Sequence, residues 1–240
     1  ALKELKNNIR SNSSNEISIS GESKILRSLN HTNVIGFNEC FQNFDGKICL
    51  VFEYCDAGDL KKVLKKLKEA KSKKLSTNEI KKWFYELMSG LEHIHSQRII
   101  HKDIKPENLM LKKVANQLPI LKIGDFGLSK FLNEPIQFTG RGTDIYKSPE
   151  IYMREGMSEK SDVWSAGCVL FEMVHLKFLF LYLKQDEKGK VIFENVPHLD
   201  FDVEIDKIYD KMMKKCLNER ASSREILEIL NQNLTENLEK

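Results

Sequence analysis

The chain of 240 residues contains no C-x-x-C pair, no internal repeat and no low-complexity tract. No apolar run approaches the ~18 residues that a membrane-spanning helix requires. The densest run, Phe178 to Leu183, is far shorter and is expected in the core. Five cysteines, at positions 40, 49, 55, 168 and 216, are odd in number, and their spacing suggests neither a zinc site nor a disulfide framework. Reduced thiols are the plain reading. No signal peptide opens the sequence, so a soluble, intracellular and cytoplasmic protein is expected. The net charge of only +3 gives no reason to expect nucleic acid, and no membrane partner is expected.

What is present describes an ordinary globular protein: 41% hydrophobic and 30% charged residues, on a chain long enough to bury a sizeable core. Positive charge is concentrated from Lys61 to Lys74, which reads as the solvated face of a helix with a weak bias toward acidic partners. Phe37 to Phe44 and Ile48 to Phe52 are strand-like and separated by the turn signal Asp45-Gly46. Ser76-Thr77-Asn78-Glu79 is a capping box. It opens a helix with Ile80, Trp83, Phe84, Leu87, Met88, Leu91 and Ile94 on one face. His93 and His95 near its end are two apart, which is not the spacing of a helical metal pair, and are read as structural.

Further on, Leu109 to Leu111 and Ile120 to Ile123 read as strands joined by a loop containing Pro119. The helix opened by Ser161-Asp162-Val163-Trp164 is apolar on every face and should be buried on every face. Ile205, Ile208, Tyr209, Met212 and Met213 recur at helical spacing, and Ser222-Ser223-Arg224-Glu225 opens a last helix through Leu230. Asn7 to Asn15 reads as a loop and Gly189 as a turn.

Two motifs carry chemistry: His101-Lys102-Asp103-Ile104-Lys105-Pro106-Glu107-Asn108, then Asp125-Phe126-Gly127. A base, a cation and two oxygen ligands for a hard metal are what phosphoryl transfer needs, because its catalysis is mostly positioning and charge neutralisation. Together, H-x-D-x-K-x-x-N followed by D-F-G resembles a protein kinase catalytic core, and the resemblance covers essentially the whole chain. The hinge-like stretch Glu53 to Leu60 is similar to that of the NIMA-related kinases, as are Trp83-Phe84, Gly124 and Lys160 to Trp164. Lys105 and Thr143 follow the serine/threonine pattern.

The resemblance implies an α+β, bilobal fold with a truncated small lobe: a strand bearing Lys3, one helix and two further strands. The large lobe would be mainly helical. The partial N-lobe would span 1–54, with a hinge at 53–59. The C-lobe would span 55–240, with a catalytic loop at 101–108 and an activation segment at 125–150. It implies a Mg²⁺-dependent transfer of the ATP γ-phosphoryl group to protein Ser/Thr hydroxyls. Asp103 would orient the acceptor, Lys105 would neutralise transferred charge, and Thr143 would shape the acceptor site. Asn108 and Asp125 would hold Mg²⁺. Lys3 would hold the nucleotide phosphates with Glu22 as its partner. Phe52 would stand behind the adenine, the backbone of Glu53 and Cys55 would bond it, and Asp59 and Met110 would complete the pocket. Asp162 would anchor the catalytic loop, and Arg220 would pair with Glu150 of Ser148-Pro149-Glu150.

Departures from the family pattern are specific. No G-x-G-x-x-G stands upstream of Lys3, so either the sequence is a fragment or the phosphates lack their lid. An uncovered small-lobe face and marginal stability are then expected. Lys102 replaces an arginine that typically grips an activation-loop phosphate. Phosphorylation of Thr139, by an upstream kinase or by the chain itself, is expected to order that segment through Lys102 and Lys130. No proline precedes Arg220, and nothing physical accounts for Arg141. The alternative from another class is a scaffold or binding module that keeps the fold without efficient transfer.

Overall fold

The computed structural model describes residues 1–4, 21–71, 73–132, 144–187, 191–194 and 196–238. The expected loop at Asn7–Asn15, the turn at Gly189, and Thr139, Arg141, Gly142 and Thr143 lie outside the described residues.

The small lobe is built from β1 (Leu2–Glu4), α1 (Gly21–Ser28), β2 (Phe37–Gln42) and β3 (Ile48–Phe52). Its antiparallel sheet has the order β1-β3-β2, with Lys3 opposite Leu50. The β2–β3 turn closes because Gly46 takes φ 76° and Asn43 Oδ1 accepts from the Asp45 and Lys47 N–H groups. Ile25 and Leu26 of α1 are buried, as is Leu29 just beyond its end. Leu2, Phe41 and Phe44 are exposed.

α2 (Leu60–Glu69) starts at Asp59, whose carboxylate accepts from the Lys62 N–H at 2.8 Å. α3 (Thr77–Ser96) carries the predicted capping box, with both Ser76 and Glu79 bonds made, and its seven predicted apolar residues are all buried. Gly90 lets α3 pack closely, since a Cβ there would stand 2.8 Å from the Asn33 carbonyl and 2.9 Å from Ile123.

β4 (Ile99–Ile100) leads into the loop 101–108, which β5 (Leu109–Val114) and β6 (Gln117–Ile123) follow as an antiparallel ribbon. Pro119 lies within β6, not in the connecting loop expected from the sequence. The turn is at Ala115-Asn116, where Asn116 takes φ 58°. A two-stranded ribbon tolerates proline because each strand has an edge whose N–H groups need no ladder partner. The Pro119 carbonyl instead accepts from Trp83 Nε1 at 2.9 Å and Lys82 Nζ at 3.0 Å, fixing the ribbon to α3. β7 (Lys130–Phe131) pairs with β4.

α4 (Pro149–Tyr152) and α5 (Glu159–His175) follow, and α5 is buried continuously from Ser161 to Val174 as its all-apolar surface predicts. The run Phe178 to Leu183 is only partly core: Leu179 is buried, whereas Leu181 and Tyr182 are 71% and 45% exposed. Residues 179–182 form a 3₁₀ turn, whose three residues per turn point successive side chains in different directions. A short hairpin of β8 (Lys184–Gln185) and β9 (Val191–Ile192) leads to α6 (Val203–Met212) and α7 (Ser223–Leu238). The latter runs beyond the expected Leu230.

Arg220 is fully buried and joins these helices. Its Nη1 and Nη2 donate to Glu150 Oε1 and Oε2 at 2.8 and 2.9 Å, and its Nε to the Lys214 carbonyl at 2.8 Å. The guanidinium also lies 5.0 Å from the Trp164 ring centre. Burial pushes the Glu150 carboxyl up, but Arg220 outweighs it and holds the group below the usual carboxylate range. Arg220→Met should therefore lose about 3–5 kcal/mol in urea unfolding, because Glu150 is left charged and buried. Arg220→Met/Glu150→Gln should lose less, and equal losses would contradict the ion-pair account.

Candidate active site

The loop after β4 is held from below by a carboxylate. Asp162, near the start of α5 and buried, accepts from the His101 N–H at 2.8 Å and the Lys102 N–H at 2.9 Å. Lys102 takes φ 73°, a conformation uncommon outside glycine, which this clamp holds. His95 Nε2 meets Asp162 Oδ2 at 3.0 Å, and its Nδ1 meets Ser223 Oγ at 2.8 Å. The histidine read as structural thus links the carboxylate to α7.

Asp103 stands next on the loop. Lys105 Nζ donates to both its oxygens, at 2.7 and 3.0 Å. Asn108 Nδ2 donates to the Asp103 carbonyl at 2.7 Å and to Oδ2 at 2.9 Å. Both amide protons of Asn108 are therefore spent on Asp103, and among the described residues no donor meets its Oδ1.

The second cluster joins the small lobe to the segment after β6. Lys3 Nζ lies 2.8 Å from Glu22 Oε1 and 2.8 Å from Asp125 Oδ1. Burial lowers the affinity of the Lys3 ammonium for its proton, but the two carboxylates outweigh it and raise its pKa. Burial likewise pushes Asp125 up, and Lys3 more than offsets it, holding the carboxyl below its usual range. Asp125 takes φ 56°, while Phe126 is buried with its ring 4.9 Å from His101, edge to face. His101 Nε2 lies 3.0 Å from the Gly124 carbonyl and its Nδ1 accepts from the Asp103 N–H at 3.3 Å, so the neutral ring is satisfied at both nitrogens.

Phe52, Glu53 and Cys55 line the connection between the lobes, and Asp59 and Met110 bridge it to β5. The Glu53 N–H is spent on the Gly36 carbonyl at 2.8 Å. Its side chain accepts from the Gly36 N–H at 2.8 Å and meets Lys122 Nζ at 3.0 Å and Lys112 Nζ at 3.1 Å. Sequence reasoning missed this brace. The available signal was a lysine, Lys122, between two buried apolar residues of β6.

The residues fit a divalent metal that arrives with a phosphate-bearing ligand. Asp125 and Asn108 offer a carboxylate and an amide oxygen, both hard donors, and such a metal takes its remaining ligands from phosphates and water. Among the described residues no group of three His, Cys, Asp or Glu converges into a self-sufficient metal cage.

A lysine shared by two carboxylates and a loop of base, cation and amide, on a small lobe with a three-stranded sheet and a mainly helical large lobe, place this chain in a class. Residues 1–234 match the protein kinase domain, and the chain belongs to that family. It is similar to serine/threonine-protein kinase Nek5 of Homo sapiens, at 39% identity over 65% of this chain and 21% of that protein. It is also similar to Nek11 of Macaca fascicularis (34%, over 87% of this chain and 32% of that protein) and to Nek1 of Mus musculus (31%, over 86% and 17%). These relatives bear out the resemblance to NIMA-related kinases. The chain spans between a sixth and a third of the length of the curated relatives it matches.

Two histidines give the fold a pH dependence. His101 is held below its ordinary value by burial, against the opposing pull of Asp162, Asp103 and Asp125. His31 is lowered by burial, by its neighbour His93 and by Lys122, against Glu92. Both rings are neutral in the fold and take protons in the unfolded chain near 6.5. Their contribution is therefore complete above that value and is lost as pH falls through it. The urea midpoint should fall between pH 7 and 5, and a midpoint that is flat or rises over this window would contradict the assignment.

Proposed function

We propose that the chain is the catalytic core of a serine/threonine protein kinase that moves the γ-phosphoryl group of ATP to protein hydroxyls. The observation that supports it most is the Asp103–Lys105–Asn108 cluster on a loop braced by Asp162. In this reading a partial N-lobe, 1–54, and a C-lobe, 55–240, meet at the hinge 53–59, with an activation segment at 125–150. When bound, ATP supplies the phosphoryl group and Mg²⁺ offsets the charge on its phosphates. Asp103 accepts a hydrogen bond from the substrate hydroxyl and takes its proton as transfer proceeds. Lys105, already on Asp103, neutralises charge on the transferred group. Lys3, positioned by Glu22, would hold phosphate oxygens, while Asn108 Oδ1 and the Asp125 carboxylate would hold the metal. With the Glu53 N–H spent on Gly36, the Glu53 carbonyl and the Cys55 backbone are left for the adenine edge, with Phe52 behind it. Asp59 and Met110 flank the base and its sugar. Thr143 shapes the acceptor side.

Regulation through Thr139 belongs to the same reading: its phosphate would pair with Lys102 and Lys130 and order the segment for substrate. Five free cysteines support a reducing, cytoplasmic setting. Among the described residues no helix is long and apolar enough to cross a membrane.

With Mg²⁺-ATP the chain should phosphorylate a serine peptide and incorporate phosphate at Thr139, read by mass spectrometry. Asp103→Asn should keep the nucleotide-induced thermal shift and lose about 10²–10⁴-fold in transfer. Asp125→Ala should lose the thermal shift. Transfer that persists in Asp103→Asn would contradict its role, and Thr139→Ala with unchanged activity would contradict the regulatory step.

A further inference from the structure

The basic stretch is not used by the transfer chemistry. Between positions 59 and 74 eight lysines stand against two carboxylates. α2 presents some of them inward, so the whole row is not the solvated face expected from the sequence. Lys61 Nζ lies 2.8 Å from Glu107 Oε1, and Glu107 sits on the catalytic loop two residues beyond Lys105. Lys62 closes Asp59, with its Nζ 2.8 Å from Oδ2. Lys68 Nζ is 2.7 Å from Glu172 Oε1, whose other oxygen accepts from the Tyr146 hydroxyl at 2.6 Å. Lys61 and Lys68 also lie over the ring of Phe178, at 5.6 and 4.5 Å.

Glu107 on the catalytic loop thus already has a lysine partner, as do Asp59 at the start of α2 and the fully buried Glu172 of α5. A basic residue arriving from a substrate would have to displace an ammonium to gain one ion pair, and the exchange returns little. The rest of the stretch is open to solvent: Lys66, Lys71, Lys73 and Lys74 are exposed, and so are Lys62 and Lys65, whose side chains are each 71% exposed although paired with Asp59 and Glu69. Their summed field reaches about a Debye length, ~8 Å at physiological salt, and favours acidic chain segments.

Resting on the kinase reading above, we propose that this site selects acceptor segments rich in aspartate and glutamate. The exposed α2 lysines attract them, and Lys61 is a specificity-determining residue because it withholds Glu107 from basic ones. Lys61 acts through Glu107 and touches no reacting atom.

Three serine peptides, identical except for flanks of aspartate, of neutral residues or of lysine, test this by fluorescence anisotropy on the whole chain. The aspartate peptide should bind about tenfold more tightly than the neutral one, a difference of about 1.4 kcal/mol, and lose that advantage in high salt. Lys65→Glu/Lys66→Glu should abolish the preference, whereas Lys214→Glu, an exposed lysine outside α2, should keep it. Lys61→Ala should improve binding of the lysine peptide by freeing Glu107. Equal binding of all three peptides, or equal loss in the Lys214→Glu control, would overturn the inference. So would a short RNA or phosphatidylserine vesicles that bind as tightly as the aspartate peptide, since the face would then be a general anion surface. Transfer to the same peptides is read separately: preference without transfer sinks the kinase reading alone, and transfer without preference sinks this one alone.

Discussion

The carboxylate of Asp162 accepts two consecutive backbone N–H groups, from His101 and Lys102, and a bond from His95, in a site closed to water. Buried backbone donors need acceptors, and a buried carboxylate needs donors, so each side of this arrangement answers the other. The loop is thereby pinned to α5, the most deeply buried helix among the described residues. Asp103 follows immediately, and its side chain is then oriented by Lys105 and Asn108 rather than by solvent. Positioning of this kind is most of what phosphoryl transfer asks of a protein.

Above the loop, the charged site groups are paired with one another. Lys3 is shared by Glu22 and Asp125 across the two lobes, and Glu53 is shared by Gly36, Lys122 and Lys112 at the connection between them. Both braces run between segments far apart in sequence, so the geometry of the cleft depends on lobe packing. Two α2 lysines follow the same logic, Lys61 pairing with Glu107 and Lys68 with the buried Glu172.

Much of this was legible from the residues alone. The capping box at Ser76 and the buried faces of α3 and α5 follow from periodicity or from contiguous motifs, whereas the Arg220–Glu150 pair, 70 residues apart, follows from the family resemblance. The Asp103–Lys105–Asn108 cluster was legible because its members lie within one short motif. What escaped was set by partners distant in sequence. Pro119 reads as a breaker, yet it occupies a ribbon whose carbonyl is wanted by Trp83. Lys122 and Lys112 act through Glu53, and Lys61 and Lys68 turn inward, for reasons that only packing supplies. The apolar run at Phe178 is divided between core and surface by a 3₁₀ turn that hydrophobicity does not encode.

The brace itself is open to direct measurement. Asp162→Asn keeps size and polarity but replaces one of the two acceptor oxygens with a donor, so it can satisfy only one of the two backbone N–H groups. Hydrogen exchange on this variant should show the His101 and Lys102 amides losing protection while the α3 amides keep theirs. If both loop amides remain as protected as in the parent chain, Asp162 is not what holds the site together.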